Sequence, residues 1–360
     1  MLHAVIMAGG AGTRFWPESR RRRPKQLLPI VGNRSMLAAT VERLGDLVAP
    51  ERILVATTAQ LAGAIAEELP FLPREAILAE PSKRDTAPCI GLAAVRLLRD
   101  DPDAIMAVMP SDHVIEPVEG FRAAIRYAAE LVEAVPNRLV TFGVRPTYAA
   151  ESFGYIERGQ SLKTVDPAAA TFRVARFREK PDAATAREYL ESGRFYWNAG
   201  IFVWKAGTIL DELHRRQPDL AAGLERIAAA VDRPDFVEVL QREFNALTKI
   251  SIDYAVMEHA DEVLVVEAPF EWDDVGTWQS VARLMGTDQE GNTVAAKHLG
   301  IGTRGTIIRG GSDHLLVTVG LSDCIVVHTP DATLVADKNH EESVREITRR
   351  LEELGWDEYL

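Results

Sequence analysis

Short, fully apolar runs alternate along the chain with longer stretches whose apolar residues fall on one side of a helix. "HAVIMA" (His3–Ala8), "RILVATT" (Arg52–Thr58), "AIMAVM" (Ala104–Met109) and "RLVTFGV" (Arg138–Val144) read as buried strands. Between them, "SMLAATVERLGDL", "TAPCIGLAAVRLLRD" and "GFRAAIRYAAELVEA" repeat apolar residues at three-and-four spacing, as one-sided helices do. Such alternation predicts an α/β fold with a mostly parallel sheet, helices on both faces, and ligands taken up at the carboxyl ends of the strands.

The texture changes near Ser152. "ESFGYIERG", "TFRVARFREKP" and "YWNAGIFVWK" are strand-like and carry aromatic residues, which predicts an inserted antiparallel element. Helical patterning returns over Thr208–Ala246 and around Ile252–His259. Short β-rich segments punctuated by glycine then run from Thr293 to Asp337, and "EESVREITRRLEEL" places Val344, Ile347, Leu351 and Leu354 on one helical face. The expected organisation is a large α/β region over residues 1–291 and a small β-rich domain with a terminal helix over 292–360. The apolar face of that helix is expected to pack on its own β domain or on a second subunit, which would make a homodimer.

Composition narrows the field. The chain has 360 residues, 47% of them hydrophobic and 26% charged, the range of an ordinary globular protein. A formal net charge of -12 argues against a broad basic face for nucleic acid. Cys89 and Cys324 stand far apart with no CxxC spacing, which fits a reducing compartment and no thiolate metal site. The start lacks the pattern of a signal peptide, and no run approaches the roughly 20 apolar residues of a membrane span. A cytoplasmic location with no membrane partner is expected.

Against this acidic background, "MAGGAGTRFWPESRRRRPKQLLP" gathers Arg14, Arg20, Arg21, Arg22, Arg23 and Lys25 just after the first apolar run. "GGAGTR" is not a dinucleotide fingerprint, because Phe15 stands where the third glycine belongs, and no Gly-Lys-Ser/Thr follows to make a Walker loop. What remains is a turn whose N–H groups can approach phosphate oxygens closely. An ordinary strand-to-helix turn is the competing reading, and Arg14 with "RRPKQ" favours phosphate. Arg20–Arg23 read mostly as a solvated cationic rim.

The stretch "GGAGTRFWPESRRRRPKQ" resembles the signature of the sugar-1-phosphate nucleotidylyltransferases, most closely the mannose-1-phosphate guanylyltransferases. Further matches follow in that family's order: "EPSKRDTAP", "MPSDHVI", "FGYIERG", "FREKP", "YWNAGIF", "SIDYAVMEH" and "FEWDDVGTW", and later "VGLSDCIVVHTPDATLVAD". The resemblance implies a Rossmann-like nucleotide-diphospho-sugar transferase fold with a short β-helix-like C-terminal part. It implies a reaction of GTP with mannose 1-phosphate, assisted by Mg²⁺. The attacking phosphate is already ionised at neutral pH, so the lack of a Ser-His-Asp or Cys-His constellation is consistent with it.

The same resemblance assigns residues. Arg14 and Lys25 would neutralise the triphosphate, and Asp112 and Asp274 would hold the metal, a reasonable protein share of a magnesium octahedron. Helix capping or a turn is the alternative for Asp112 and a loop acid for Asp274; Asp273 is the adjacent competitor, and the family's W-x-D-V-G spacing selects Asp274. His113 is expected to orient its loop. Ala8, Gly9, Gly10, Gly12, Thr13, Glu80, Arg84, Asp85, Thr86 and Ser111 would surround the nucleotide. Asp85 stands where asparagine is commoner, and its carboxylate either accepts the guanine donors or caps the helix that follows. Gly154, Tyr155, Glu179, Lys180, Asn198 and Gly200 would line the sugar-phosphate pocket, with Asp253 a helper or a cap. Adjacent strand residues point to opposite faces, so Glu179 and Lys180 can share a ligand only if the chain twists at Pro181. Two other readings compete: a nucleotidylyltransferase for another sugar or nucleotide, and a catalytically silent sensor lacking a metal aspartate or the motif lysine. Both aspartates and Lys25 are present.

Overall fold

The computed structural model describes residues 1–162 and 170–360. The chain forms two compact units. One combines Met1–Gly9, Arg43–Ser111 and Ile115–Trp272; the other combines Gly10–Glu42, Asp112–Val114 and Asp273–Leu360.

The first unit is built on a nine-stranded mixed sheet. Strands β1 (Leu2–Met7), β2 (Ile53–Thr58), β3 (Ile77–Glu80) and β4 (Ile105–Pro110) lie in the order β3-β2-β1-β4, all parallel. β2 is buried at all six positions, as a strand covered on both faces must be. After the short β5 (Val114–Glu116) come β6 (Leu139–Val144), β7 (Tyr155–Ser161), β8 (Thr171–Arg178), β9 (Phe195–Lys205) and β10 (Val263–Glu267). The sheet continues from β4 as β9-β6-β10-β8-β7. β9 runs antiparallel to β4, β6 and β7, and β10 runs parallel to β6. The aromatic, strand-like texture after Ser152 is thus the antiparallel half of the sheet.

Helices α1 (Met36–Leu44), α2 (Ala62–Glu68), α3 (Thr86–Asp100) and α4 (Val118–Ala134) match or join the expected amphipathic stretches. α3 packs on β1 and β2, and α4 packs on β4, β6 and β9. Ile90, Ala93 and Ala94 of α3 enter the main core with Val5, Met106 and Trp204. α5 (Ala183–Ser192) starts where Asp182 accepts the Thr185 N–H at 2.8 Å, an ordinary N-cap. The helical text from Thr208 resolves into α6 (Ala206–Arg216), α7 (Pro218–Ala228) and α8 (Phe236–Ala246).

The second unit contains α9 (Trp278–Met285), which follows the short β11 (Glu271–Asp273), and a run of short strands. β12 (Thr293–Ala295), β14 (Ile307–Arg309) and β16 (Cys324–His328) pair in parallel, closed by antiparallel β17 (Thr333–Asp337). β13 (Lys297–Ile301) and β15 (Leu315–Val319) form a separate parallel pair. Successive strands alternate between two sheets, which is the coil of a short β-helix.

The terminal helix α10 (Val344–Leu354) lays Val344 and Leu351 into one core with Ile307, Ile325, Val327, Phe15 and Trp278. Its apolar face therefore packs on the chain's own β region. Leu354, expected on the same face, is exposed because α10 ends there and Gly355 turns the chain away.

The basic run also differs from expectation. Arg20 donates to the Tyr359 carbonyl and, at 2.7 Å, to Asp331, while Arg21 pairs with Glu352 and with Asp357 at 3.1 Å. These two arginines are clamps on the terminal segment rather than a free rim. Acids more than 300 positions away satisfy them, and no local pattern shows such partners. Among the described residues no helix is long and apolar enough to cross a membrane.

Candidate active site

In the second unit, the glycine turn and the lysine of the basic run meet directly. Gly12 has φ +60, and a Cβ there would lie 2.4 Å from the Lys25 Cβ and 2.8 Å from its backbone nitrogen. Only glycine lets the turn press onto Lys25. Two further bonds fix the turn: Ser19 Oγ donates to the Gly12 carbonyl at 2.7 Å, and Gln26 Nε2 donates to the Gly10 carbonyl at 3.1 Å. Phe15 packs edge-on against Trp278 at 4.9 Å, tying the turn to the start of α9.

Lys25 is 5% exposed, and a buried ammonium requires partners. Its Nζ donates to Asp112 Oδ2 and to the Asp274 carbonyl, both at 2.7 Å. One cation thus fixes both aspartates expected to hold metal. Thr13, Arg14, Lys25, Asp112 and Asp274 line one cavity of about 470 Å³, and His113 lines it too.

The two carboxyl groups are tuned apart. Burial works against the charge on Asp112, but Lys25 and His113 outweigh it and hold its carboxyl below the ordinary value. Burial lifts the Asp274 carboxyl above its ordinary value; Asp273 and Asp112 add to the rise, while Lys25 and Arg14 oppose it. Two carboxylates repelling each other across a polar cavity fit a hard divalent cation sharing phosphate and water oxygens. Among the described residues no cluster of three or more metal-ligating side chains exists, so the protein offers this pair and not a full cage.

Asp273 is otherwise engaged. It accepts the Val275 N–H at 2.7 Å and pairs with Arg283 at 3.0 Å. Val275, buried and β-branched, is held at φ 48, an uncommon backbone state that costs energy and often marks a functional turn.

In the first unit, the remaining nucleotide candidates cluster at the carboxyl ends of the parallel strands. Ala8 follows β1, with its N–H on the Ala56 carbonyl at 2.7 Å, and Ser111 follows β4, with its N–H on the Met7 carbonyl at 3.1 Å. Glu80 ends β3, and its Oε2 lies 3.8 Å from where a Cβ on Gly9 would sit. Glu80 is buried; its Oε1 has no hydrogen-bond partner among the described residues, and burial pushes its carboxyl up to about 7. Asp85 is exposed, sits at φ 69, and accepts the Thr86 N–H at 2.8 Å, so it acts as a cap for α3. Arg84 donates to the Asn245 carbonyl, and Thr86 accepts the Ile252 N–H at 2.8 Å.

The sugar candidates form one constellation, also in the first unit. A Cβ at Gly154 would lie 2.4 Å from Glu179 Oε1, so this glycine admits the carboxylate. Lys180 Nζ returns to Glu179 Oε2 at 3.0 Å, with Lys180 itself at φ 39. That left-handed residue, beyond the end of β8, breaks the strand alternation and brings both side chains to one place. The Asn198 N–H donates to the Gly154 carbonyl at 2.9 Å, and its Oδ1 accepts the Gly200 N–H at 3.1 Å. Its Nδ2 donates to Asp253 Oδ1 at 3.0 Å.

Asp253 carries more weight than its motif suggested. Burial and then the Glu179 charge push its carboxyl up to about 7. A helix-start aspartate looks like a cap in sequence, and its only further signal was the "SIDY" wording. Tyr155 is fully buried, and its hydroxyl accepts the Ala150 N–H at 3.0 Å.

Comparison with known proteins gives a consistent pattern. A profile described as "Nucleotidyl transferase" matches residues 3–291, and one described as "MannoseP isomerase/GMP-like beta-helix domain" matches residues 296–351. The chain is 39% identical over 364 residues to "Mannose-1-phosphate guanylyltransferase" of Escherichia coli (strain K12), covering 99% of this chain and 75% of that protein. It is 38% identical over 354 residues to "Xanthan biosynthesis protein XanB" of Xanthomonas campestris pv. campestris (strain B100), covering 98% of this chain and 73% of that protein. A crystal structure described as mannose-1-phosphate geranyltransferase from Thermus thermophilus superposes with TM-score 0.85 and 35% identity, covering 98% of this chain and 99% of that one.

Proposed function

The chain belongs to the nucleotidyl transferase family and, within it, to the mannose-1-phosphate guanylyltransferases; from that premise we propose that it converts GTP and α-D-mannose 1-phosphate to GDP-mannose and pyrophosphate. The observation that carries this reading is the buried Lys25, clasped by the glycine turn and bonded to both Asp112 and Asp274 in one cavity. A silent sensor has no need of that arrangement.

A phosphate oxygen of the sugar phosphate forms a bond to the α-phosphorus of GTP, and the bond from that phosphorus to its β-bridging oxygen breaks. Pyrophosphate departs with the electron pair. No proton transfer is required, so the protein's work is positioning and charge neutralisation. Arg14 and Lys25 face the triphosphate, with backbone from Gly10, Gly12 and Thr13 close to its oxygens. Asp112 and Asp274 would hold Mg²⁺, which when bound withdraws charge from the reacting phosphates. Lys25 is oriented by Asp112 and shielded from water, which strengthens its pull on the departing oxygen.

For the base, Glu80 is the better acceptor than Asp85. It is buried with a free oxygen at the end of β3, whereas Asp85 is spent on capping. A carboxylate there accepts both the N1–H and the 2-amino donors of guanine. For the sugar phosphate, Glu179 accepts hydroxyls and Lys180 meets the phosphate, while Asn198, Gly200, Asp253 and the Gly154–Tyr155 backbone shape the pocket. We place Arg14, Lys25, Asp112 and Asp274, which act at the reacting phosphates, within residues 1–291, and the protein in the cytoplasm.

A pyrophosphate-release assay across the four common nucleoside triphosphates and several sugar 1-phosphates tests the reading. Strong preference for GTP with mannose 1-phosphate is expected. Release with another pair moves the substrate, and release with none returns the chain to a binding role.

A further inference from the structure

One wall of the phosphate cavity comes from a segment that no motif singled out. Arg345, the second residue of α10, lines the cavity beside Gly12, Arg14 and Lys25. Its Nη2 lies 3.6 Å from Glu342 Oε2, and the same carboxylate takes Arg14 Nε at 3.2 Å. A single acid therefore bridges two guanidinium groups at the cavity edge.

The backbone beneath them is firmly held. Glu341, next to the bridging acid, accepts from Gln279 Nε2 at 2.6 Å and from the Gln279 N–H at 3.3 Å. Gln279 Nε2 also donates to the Lys338 carbonyl at 3.3 Å. Gln279 lies in the first turn of α9, shortly after Asp274, so this clamp ties the approach to α10 to the metal-candidate loop. Val344, immediately before Arg345, is 2% exposed in the core. Arg345 thus projects from a fixed backbone position while its own side chain stays half exposed and able to reorient.

Glu342 is 62% exposed along its side chain, and an exposed ion pair of this kind holds its partners weakly. Phosphate oxygens beside Lys25 offer the same guanidinium groups stronger, two-pronged bonds. Building on the function proposed above, we propose that Arg345 binds the β- and γ-phosphates of the nucleotide, and the pyrophosphate they become, with Glu342 holding Arg14 and Arg345 in place until phosphate displaces it.

The test compares Michaelis constants. Arg345→Ala should raise KM for GTP, and for pyrophosphate in the reverse reaction, by about tenfold, the scale of one charge-assisted hydrogen bond. KM for mannose 1-phosphate should stay within about twofold. Arg345→Lys, with less change of shape, should recover part of the loss because it keeps the charge without the fork. Glu342→Gln should lower KM for GTP by roughly two- to threefold, since it removes the competitor. Arg349→Ala, one turn further along α10, reports on diffuse charge alone, because Arg349 is engaged by Glu346 and Glu353.

Unchanged KM for GTP and pyrophosphate in folded Arg345→Ala overturns the proposal, as does an equal effect from Arg349→Ala. Calorimetry with inorganic pyrophosphate gives a readout without turnover: about tenfold weaker binding to Arg345→Ala supports the proposal, and equal affinity overturns it. An unaltered chain that makes no GDP-mannose removes the functional reading. A chain that makes it, while Arg345→Ala binds as tightly, removes only this inference.

Discussion

Lys25 and Lys180 are both assigned to phosphate, yet the molecule holds them in opposite ways. Lys25 exposes 6% of its side chain, has two bonds at 2.7 Å, and is wedged by a glycine that no other residue could replace. Lys180 exposes 62% and is held by its immediate neighbour Glu179 at 3.0 Å. A buried, prepositioned cation has paid its desolvation cost on folding and acts on charge that develops during reaction. An exposed one keeps its water until a ligand arrives and contributes to recognition. The contrast predicts that damage at one lysine appears in turnover and damage at the other in substrate affinity.

The strongest way to break that contrast is Lys25→Ala, expected to lower turnover by about 10²–10³-fold with little change in KM for mannose 1-phosphate. Near-normal pyrophosphate release from a folded variant would end the argument at its stronger end. Next in size is Asp274→Asn, expected to cost roughly 10²-fold and to raise the magnesium concentration needed for half-maximal rate. Asp273→Asn should leave that magnesium requirement near the unaltered one, because Asp273 already serves Arg283 and Val275. A magnesium titration in which only Asp273→Asn shifts would exchange the two assignments.

Lys180→Ala is a smaller change: KM for mannose 1-phosphate up about tenfold, turnover within a few-fold. A fall in turnover alone would make the two lysines alike. The smallest effect concerns Asp253, whose carboxyl is raised from 3.8 to about 7 in the folded chain. A raised carboxyl binds its proton in the folded state before the unfolded one does, so its stabilising contribution is full below about pH 4 and is lost as pH rises through 7. Asp253→Asn should reduce the loss of stability between about pH 4 and 7 by about 1 kcal/mol, measured by urea unfolding across pH, since the half-buried group is partly solvated. A slope identical in both proteins would locate the coupling elsewhere in the Glu179–Asn198 constellation.

Much of this was legible in the residues themselves. β1, β2, β4 and β6 were visible because both faces are buried and their runs are continuous; β3 was not, since "ILAE" is four residues long and only partly buried. Gly12, Lys25, Asp112 and Asp274 were readable one by one. What no local pattern could show is that Gly12 touches Lys25, or that one ammonium serves two aspartates. Arg345, on the charged helix α10, and Glu342, in the turn just before it, were illegible for a physical reason: in a stretch rich in charge polar positions look solvated, and only tertiary packing of Val344 and Leu351 decides which of them faces a ligand. The same limit turned Arg20 and Arg21 from an expected rim into anchors.

That anchoring has a consequence for the order of synthesis. The indole of Trp16 donates to the Tyr359 carbonyl at 2.9 Å, joining positions 343 residues apart, and Arg20 grips the same carbonyl. A growing chain can pair β1 with β2 long before Tyr359 is made, but the Trp16 and Arg20 bonds beside the Lys25 turn wait for it. At ~5–20 residues per second the delay is on the order of tens of seconds. A nascent chain therefore has β1 and β2 in hand before the bonds from Trp16 and Arg20 to the Tyr359 carbonyl can form.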